Sequence, residues 1–124
     1  MAKKILIIDD EEKIRELLTE AFEGFGYQVA TAMDGPQGLK ILAQDPMQVI
    51  LLDLNLPGMN GLEVCERIRS QYPRACIYAV TGYHDVYTPD DCLNAGFDDF
   101  FAKPVNLHLL HNAVLRGFEK LEGI

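Results

Sequence analysis

The stretch VILLDLNLPGMNG, residues 49–61, joins an unbroken apolar run, Val49 to Leu52, to an aspartate, Asp53, and then to a loop carrying Pro57, Gly58 and Gly61. A short apolar run without polar alternation is expected of a strand covered on both faces, as in a parallel sheet. The prolines and glycines that follow end it in a loop. Working outward, Ile5 to Ile8 is a second run of this kind and is followed at once by Asp9 and Asp10. Tyr27 to Thr31 reads as a more modest strand, Cys76 to Val80 as a fourth, and Phe100 and Phe101 sit in a short fifth.

Between these runs the spacing is helical. Ile14, Leu17, Leu18, Ala21, Phe22 and Phe25 fall on one stripe that Gly26 ends. A second helix is expected after Asp34, with Pro36 in its first turn. Leu62, Cys65, Ile68 and Tyr72 mark a third, and Thr88 with Pro89 reads as the cap and first residue of a fourth that Gly96 closes. The last is lined by Leu107, Leu110, Val114, Phe118 and Leu121, behind an Asn106 cap. Strands alternating with helices predict an α/β three-layer sandwich, and right-handed crossovers favour the flavodoxin-like strand order 2-1-3-4-5 for five parallel strands with five helices.

The 124 residues fit one domain spanning positions 1–124, with no repeat, linker or charge tract to divide it. A hydrophobic share of 48% with 24% charged residues is that of an ordinary globular chain. The net charge of −8 argues against a direct nucleic-acid partner, which would call for clustered Lys and Arg. Cys65, Cys76 and Cys92 contain no close pair and read as small core residues in a reducing compartment. No apolar run reaches the length of a signal or membrane segment, so a cytoplasmic protein without membrane association is expected.

In the expected winding the first and third strands are neighbours, and Asp9, Asp10 and Asp53 converge at one sheet rim. Taken singly, acidic residues at strand ends are ordinarily solvated. Three together raise one another's pKa unless a cation intervenes, and an oxygen-only set favours a hard ion such as Mg²⁺. Thr81 and Lys103 end the fourth and fifth strands and add a hydroxyl and an ammonium to the same rim. An aspartate can attack phosphorus once metal and lysine neutralise the incoming oxygens.

These residues resemble the receiver domains of two-component response regulators, with the single-domain chemotaxis type nearest in length. The resemblance covers essentially the whole chain. It rests on the acid pair in ILIIDDEE, the acceptor in VILLDLNLPGMNG, the Thr-Gly of YAVTGY and the Lys-Pro of FFAKPV, in order at successive strand ends. It implies that Asp53 takes the phosphoryl group, Asp10 binds Mg²⁺ directly, Asp9 binds it through water, and the Asn55 carbonyl is a further ligand. Thr81 and Lys103 would bind phosphoryl oxygens, Gly82 would leave room for them, and Lys103-Pro104 would be cis. The implied donor is a sensor histidine kinase or a phosphotransfer protein. A downstream effector and a phosphorylation-dependent homodimer would meet a surface of the fourth helix, fifth strand and last helix, where Leu109 should point outward. Such a chain is a phosphoacceptor with intrinsic phosphorylation and dephosphorylation chemistry, not a turnover enzyme. It stands alone or forms the receiver part of a larger regulator.

Two departures from the family pattern stand out. Pro89 implies a fourth helix that starts late or is irregular, and Phe100 occupies a switch position, paired with Thr81, that is often Tyr. Tyr83 is a candidate shield for the acyl phosphate, while His84 reads as a surface residue. His108 and His111 have a metal-compatible spacing but no evident third ligand. A flavin carrier would need Gly, Ser and Thr where Asp9 to Glu12 stand. A haloacid-dehalogenase-type phosphatase would need an acid where Asn55 stands. A phosphorylation-independent interaction domain of the same fold is the alternative that keeps the architecture and discards the chemistry.

Overall fold

The computed structural model describes residues 3–82 and 87–123. Five strands alternate with five helices: β1 (Lys4–Ile8), α1 (Glu12–Gly24), β2 (Gln28–Ala32), α2 (Gly35–Gln44), β3 (Val49–Leu52), α3 (Gly61–Gln71), β4 (Cys76–Thr81), α4 (Pro89–Ala95), β5 (Asp99–Ala102) and α5 (Leu107–Leu121). The strands are parallel throughout and run in the order β2-β1-β3-β4-β5, as the sequence implied.

Side chains leave a strand alternately to its two faces, and each apolar run is therefore divided between two cores. Leu6, Ile8, Ile50, Leu52, Ile77 and Ala79 pack with Leu42, Val64, Ile68 and Cys92 of α2, α3 and α4. Ile5, Ile7, Val49, Leu51, Tyr78 and Val80 pack with Leu18, Phe22, Leu110, Val114 and Phe118 of α1 and α5. Both faces are covered, which explains why β1, β3 and β4 tolerate no polar alternation. Each fully buried Leu or Ile contributes about 1.5–3 kcal/mol of transfer free energy. The three cysteines are free and buried in these cores.

Helix starts follow their caps. Asp34 accepts from the Gln37 N–H, Asn60 from the Glu63 N–H, and Asn106 from those of His108 and Leu109. Thr88 and Asp91 form a reciprocal capping box behind Pro89, and the resulting α4 has only seven residues before Gly96 closes it with φ near 108°. The late start of the fourth helix implied by Pro89 is thus present, and the helix is also short.

The α1 helix runs to Gly24, with Phe25 as its C-cap and Gly26 ending it at a φ near 101°, and Leu17 and Phe25 on the apolar period remain 47% and 38% exposed. A helix lying on a sheet buries only part of its circumference. Leu109 is 57% exposed, as its place off the α5 stripe required.

Candidate functional site

The backbone ladder extends one residue past the strands, and this extra rung fixes the site. The Asp9 N–H donates to the Ala32 carbonyl at 3.1 Å, the Asp53 N–H to the Ile8 carbonyl at 2.9 Å, and the Lys103 N–H to the Thr81 carbonyl at 2.9 Å. Each side chain therefore leaves a backbone held on a rigid sheet at the carboxyl ends of its strands. The start of α3 closes over the acceptor loop, with the Gly61 N–H donating to the Leu54 carbonyl at 2.9 Å. A side chain at Gly61 would run into the Asp53 carbonyl and the Leu54 Cα, so this close approach requires glycine.

Carboxylate oxygens of Asp9, Asp10, Glu11 and Asp53 all lie within 4.8 Å of one another. Asp9 and Asp53 are buried, and Asp10 and Glu11 are exposed. The counter-charge is Lys103, whose Nζ lies 2.8 Å from Asp9 Oδ2, 3.3 Å from Asp53 Oδ2 and 3.3 Å from Glu11 Oε1. The second oxygen of Asp9 accepts from the Glu11 N–H at 2.9 Å, and Arg15 Nη1 donates to the Asp9 carbonyl at 2.8 Å. The Asn55 N–H donates to Asp53 Oδ1 at 3.3 Å.

Burial pushes the Asp9 carboxyl above its ordinary range, against the opposing effect of the Lys103 hydrogen bond. For Lys103, burial alone would favour the neutral amine. The Asp9 hydrogen bond and the charges of Asp53, Asp9 and Glu11 outweigh it, and the ammonium is held charged well above the usual lysine range.

Four carboxylates against one ammonium leave a surplus of negative charge on an all-oxygen donor set. That set suits a hard divalent cation such as Mg²⁺ and not a thiophilic one.

The fold brings Asp9, Asp10, Asp53 and Lys103 directly together. Asn55 is exposed and touches the cluster through its N–H. Thr81 is fully buried at the end of β4, bonded through its carbonyl to Lys103. Among the described residues, a Cβ at Gly82 would meet nothing nearer than the Lys103 stem at 3.9 Å, an ordinary contact distance. Lys103-Pro104 is cis. Phe100 is half-buried and packs against the α2–α4 core. Tyr83 and His84 lie outside the described residues. The α5 histidines do not join the acidic cluster: His111 Nε2 lies 3.0 Å from the Tyr27 hydroxyl, and its ring stacks on Phe25 at 3.9 Å. Glu11 and Arg15 are the site residues that strand-end reasoning missed. The acid run after β1 was a signal for Glu11, whereas Arg15 depends on the turn between strand and helix.

The response regulator receiver domain family model matches residues 5–115. Over 114 residues the chain is 34% identical to sporulation initiation phosphotransferase F of Bacillus subtilis strain 168, covering 92% of each. It is 39% identical over 104 residues to the alkaline phosphatase synthesis transcriptional regulatory protein PhoP of the same organism, covering 84% of this chain and 43% of PhoP. A cyclic di-GMP phosphodiesterase of Thermotoga maritima is 36% identical over 106 residues, 86% of this chain and 28% of that protein. The chain thus spans less than half the length of some curated relatives and nearly all of another. Among solved structures, a CheY-like receiver domain protein of Methanospirillum hungatei JF-1 superposes with a TM-score of 0.93 at 31% identity, covering 99% of this chain and 98% of that one. The chain belongs to the response regulator receiver domain family of two-component signalling. No helix among the described residues is long and apolar enough to cross a membrane.

Proposed function

We propose that this receiver domain is a phosphorylation switch that takes a phosphoryl group on Asp53, with Mg²⁺ held by Asp9, Asp10, Asp53 and the Asn55 carbonyl. The observation that carries this reading is the placement of Lys103, which puts one cation within hydrogen-bonding reach of both buried carboxylates, Asp9 and Asp53. The donor is a phosphohistidine on a sensor histidine kinase or phosphotransfer protein. An Asp53 carboxylate oxygen forms the new bond to phosphorus while the phosphorus–nitrogen bond breaks and its electron pair returns to the imidazole. Lys103 moves its donors onto the phosphoryl oxygens, and the Thr81 hydroxyl supplies another. A bound Mg²⁺ would offset the negative charge that gathers as acceptor and phosphoryl group approach. Water later cleaves the acyl phosphate and restores Asp53, so the domain resets without acting as a turnover enzyme.

The readout is the surface of α4, β5 and α5, including Leu109, offered to an effector or to a second copy of the domain. Thr81 and Phe100 couple the two: a hydroxyl drawn toward the phosphoryl group vacates space for the ring to turn inward. This function places the domain in the cytoplasm, where kinase and effector would meet it. Beryllofluoride, a phosphoryl mimic, tests the reading by fluorine NMR. One Mg²⁺-dependent bound species in the wild type and none in Asp53→Asn is expected. Equal binding by both proteins would overturn it and leave a phosphorylation-independent interaction domain.

A further inference from the structure

Glu11 stands at the N-cap of α1, where a short polar side chain would turn onto the first free N–H groups of the helix. The Glu11 side chain makes no such bond. Its Oε1 is instead 3.3 Å from Lys103 Nζ. The ammonium has acids on two sides: the Asp9 and Asp53 side chains, 3% and 1% exposed, lie inward, and that of Glu11, 57% exposed, lies toward solvent. Lys103 is thus shared between an inner pair and an outer competitor.

We propose that Glu11 is a positioning residue for phosphoryl transfer, drawing the Lys103 ammonium outward and opposing its engagement with an anion on Asp53. The proposal rests on Asp53 being the phosphoacceptor. An ammonium has three N–H donors, and Asp9, Asp53 and Glu11 together occupy all three. Phosphoryl oxygens arriving at Asp53 require at least one of these donors. The inner carboxylates are buried and cannot turn to water, whereas Glu11 can do so at little cost, and it is therefore the contact that sets how readily Lys103 is released. Glu11 also places a negative charge beside the path of an incoming anion.

The test compares Glu11→Gln, which keeps length and removes charge, with Glu11→Asp, which keeps charge but is one methylene too short to hold Lys103. Beryllofluoride affinity is measured at Mg²⁺ concentrations shown to saturate each variant. Both variants should bind it about two- to fivefold more tightly than wild type, the range expected for release of a mostly exposed ion-pair contact. In the metal-free protein, the Lys103 ammonium NMR signal should move in both. A merely structural cap role would alter melting temperature without tightening anion binding. Unchanged or weaker binding in Glu11→Gln would overturn the proposal. So would tightening in Glu11→Gln alone, which would assign the effect to bulk charge. Wild-type protein that binds no beryllofluoride would instead defeat the reading of Asp53, an outcome distinct from wild-type binding that Glu11 variants leave unaltered.

Discussion

Lys103 Nζ lies closer to Asp9 Oδ2, at 2.8 Å, than to Asp53 Oδ2, at 3.3 Å. The lysine therefore pairs first with the acid at the end of β1 and only secondarily with the acceptor, and its position is a compromise among carboxylates.

Removing that counter-charge should be costly. Lys103→Met leaves two buried carboxylates without a cation, and breaking a buried pair from one side typically costs about 3 kcal/mol or more. Urea unfolding of the metal-free variant should show a loss of that order. Mg²⁺ should restore part of it by binding the folded state. A variant as stable as wild type without metal would mean that solvent, and not Lys103, compensates these acids.

Asp9 predicts a pH dependence of definite sign. Its folded-state pKa is raised above 3.8, chiefly by burial, so its ionised form costs stability. That cost is full above the folded value and fades as pH falls through it toward the unfolded value. Without metal, Asp9→Asn should therefore melt higher than wild type near neutral pH, and the difference should close as pH falls toward about 4. Each 1 kcal/mol corresponds to about 4 °C in a chain of this size. A difference that widens in acid would contradict the assignment.

Gly61 should not accept a side chain. The Cβ of Gly61→Ala would meet the Asp53 carbonyl and Leu54 Cα, both backbone atoms, so α3 or the acceptor loop must shift. Overpacking of this kind costs about 2–3 kcal/mol. Thermal melting and Mg²⁺ titration together should show lower stability and weaker cation binding. Unaltered values for both would show that the α3 junction is free to relax.

The Thr88 and Asn106 caps were legible in the sequence from residue type, and the strand order and the rim positions of Asp9, Asp10 and Asp53 from the apolar runs. Val49 to Leu52 and Ile5 to Ile8 are too short and too uniformly apolar for anything but covered parallel strands, and each ends in an acid. What lay beyond reach was pairing between rim residues. Nothing in the spacing of Glu11 and Lys103 announces their contact, because it depends on how α1 leaves β1 and on the register of β5. Exposure along α1 was not legible either: Leu17 and Phe25 share the apolar period, yet a period alone does not say how wide the buried face is.

The proposed switch can be followed at Phe100. Its ring is already half-buried, and it lacks a hydroxyl whose burial would demand a partner. Ring NMR should therefore show the unphosphorylated protein sampling the inward state, with beryllofluoride shifting the population further. Thr81→Ala should still bind beryllofluoride but move the ring little, since a ligand shifts an equilibrium only by its differential affinity. The hydrogen bond at stake is worth about 1.5–3 kcal/mol. One outward environment in both states would remove the ring from the mechanism.

The acceptor assignment itself is tested most directly by intact-mass spectrometry of wild type and Asp53→Asn after incubation with acetyl phosphate. Wild type should gain a single phosphoryl group when Mg²⁺ is present and none after chelation, while Asp53→Asn should gain none in either condition. Equal labelling of the two proteins, or labelling of wild type that persists without a divalent cation, would contradict it.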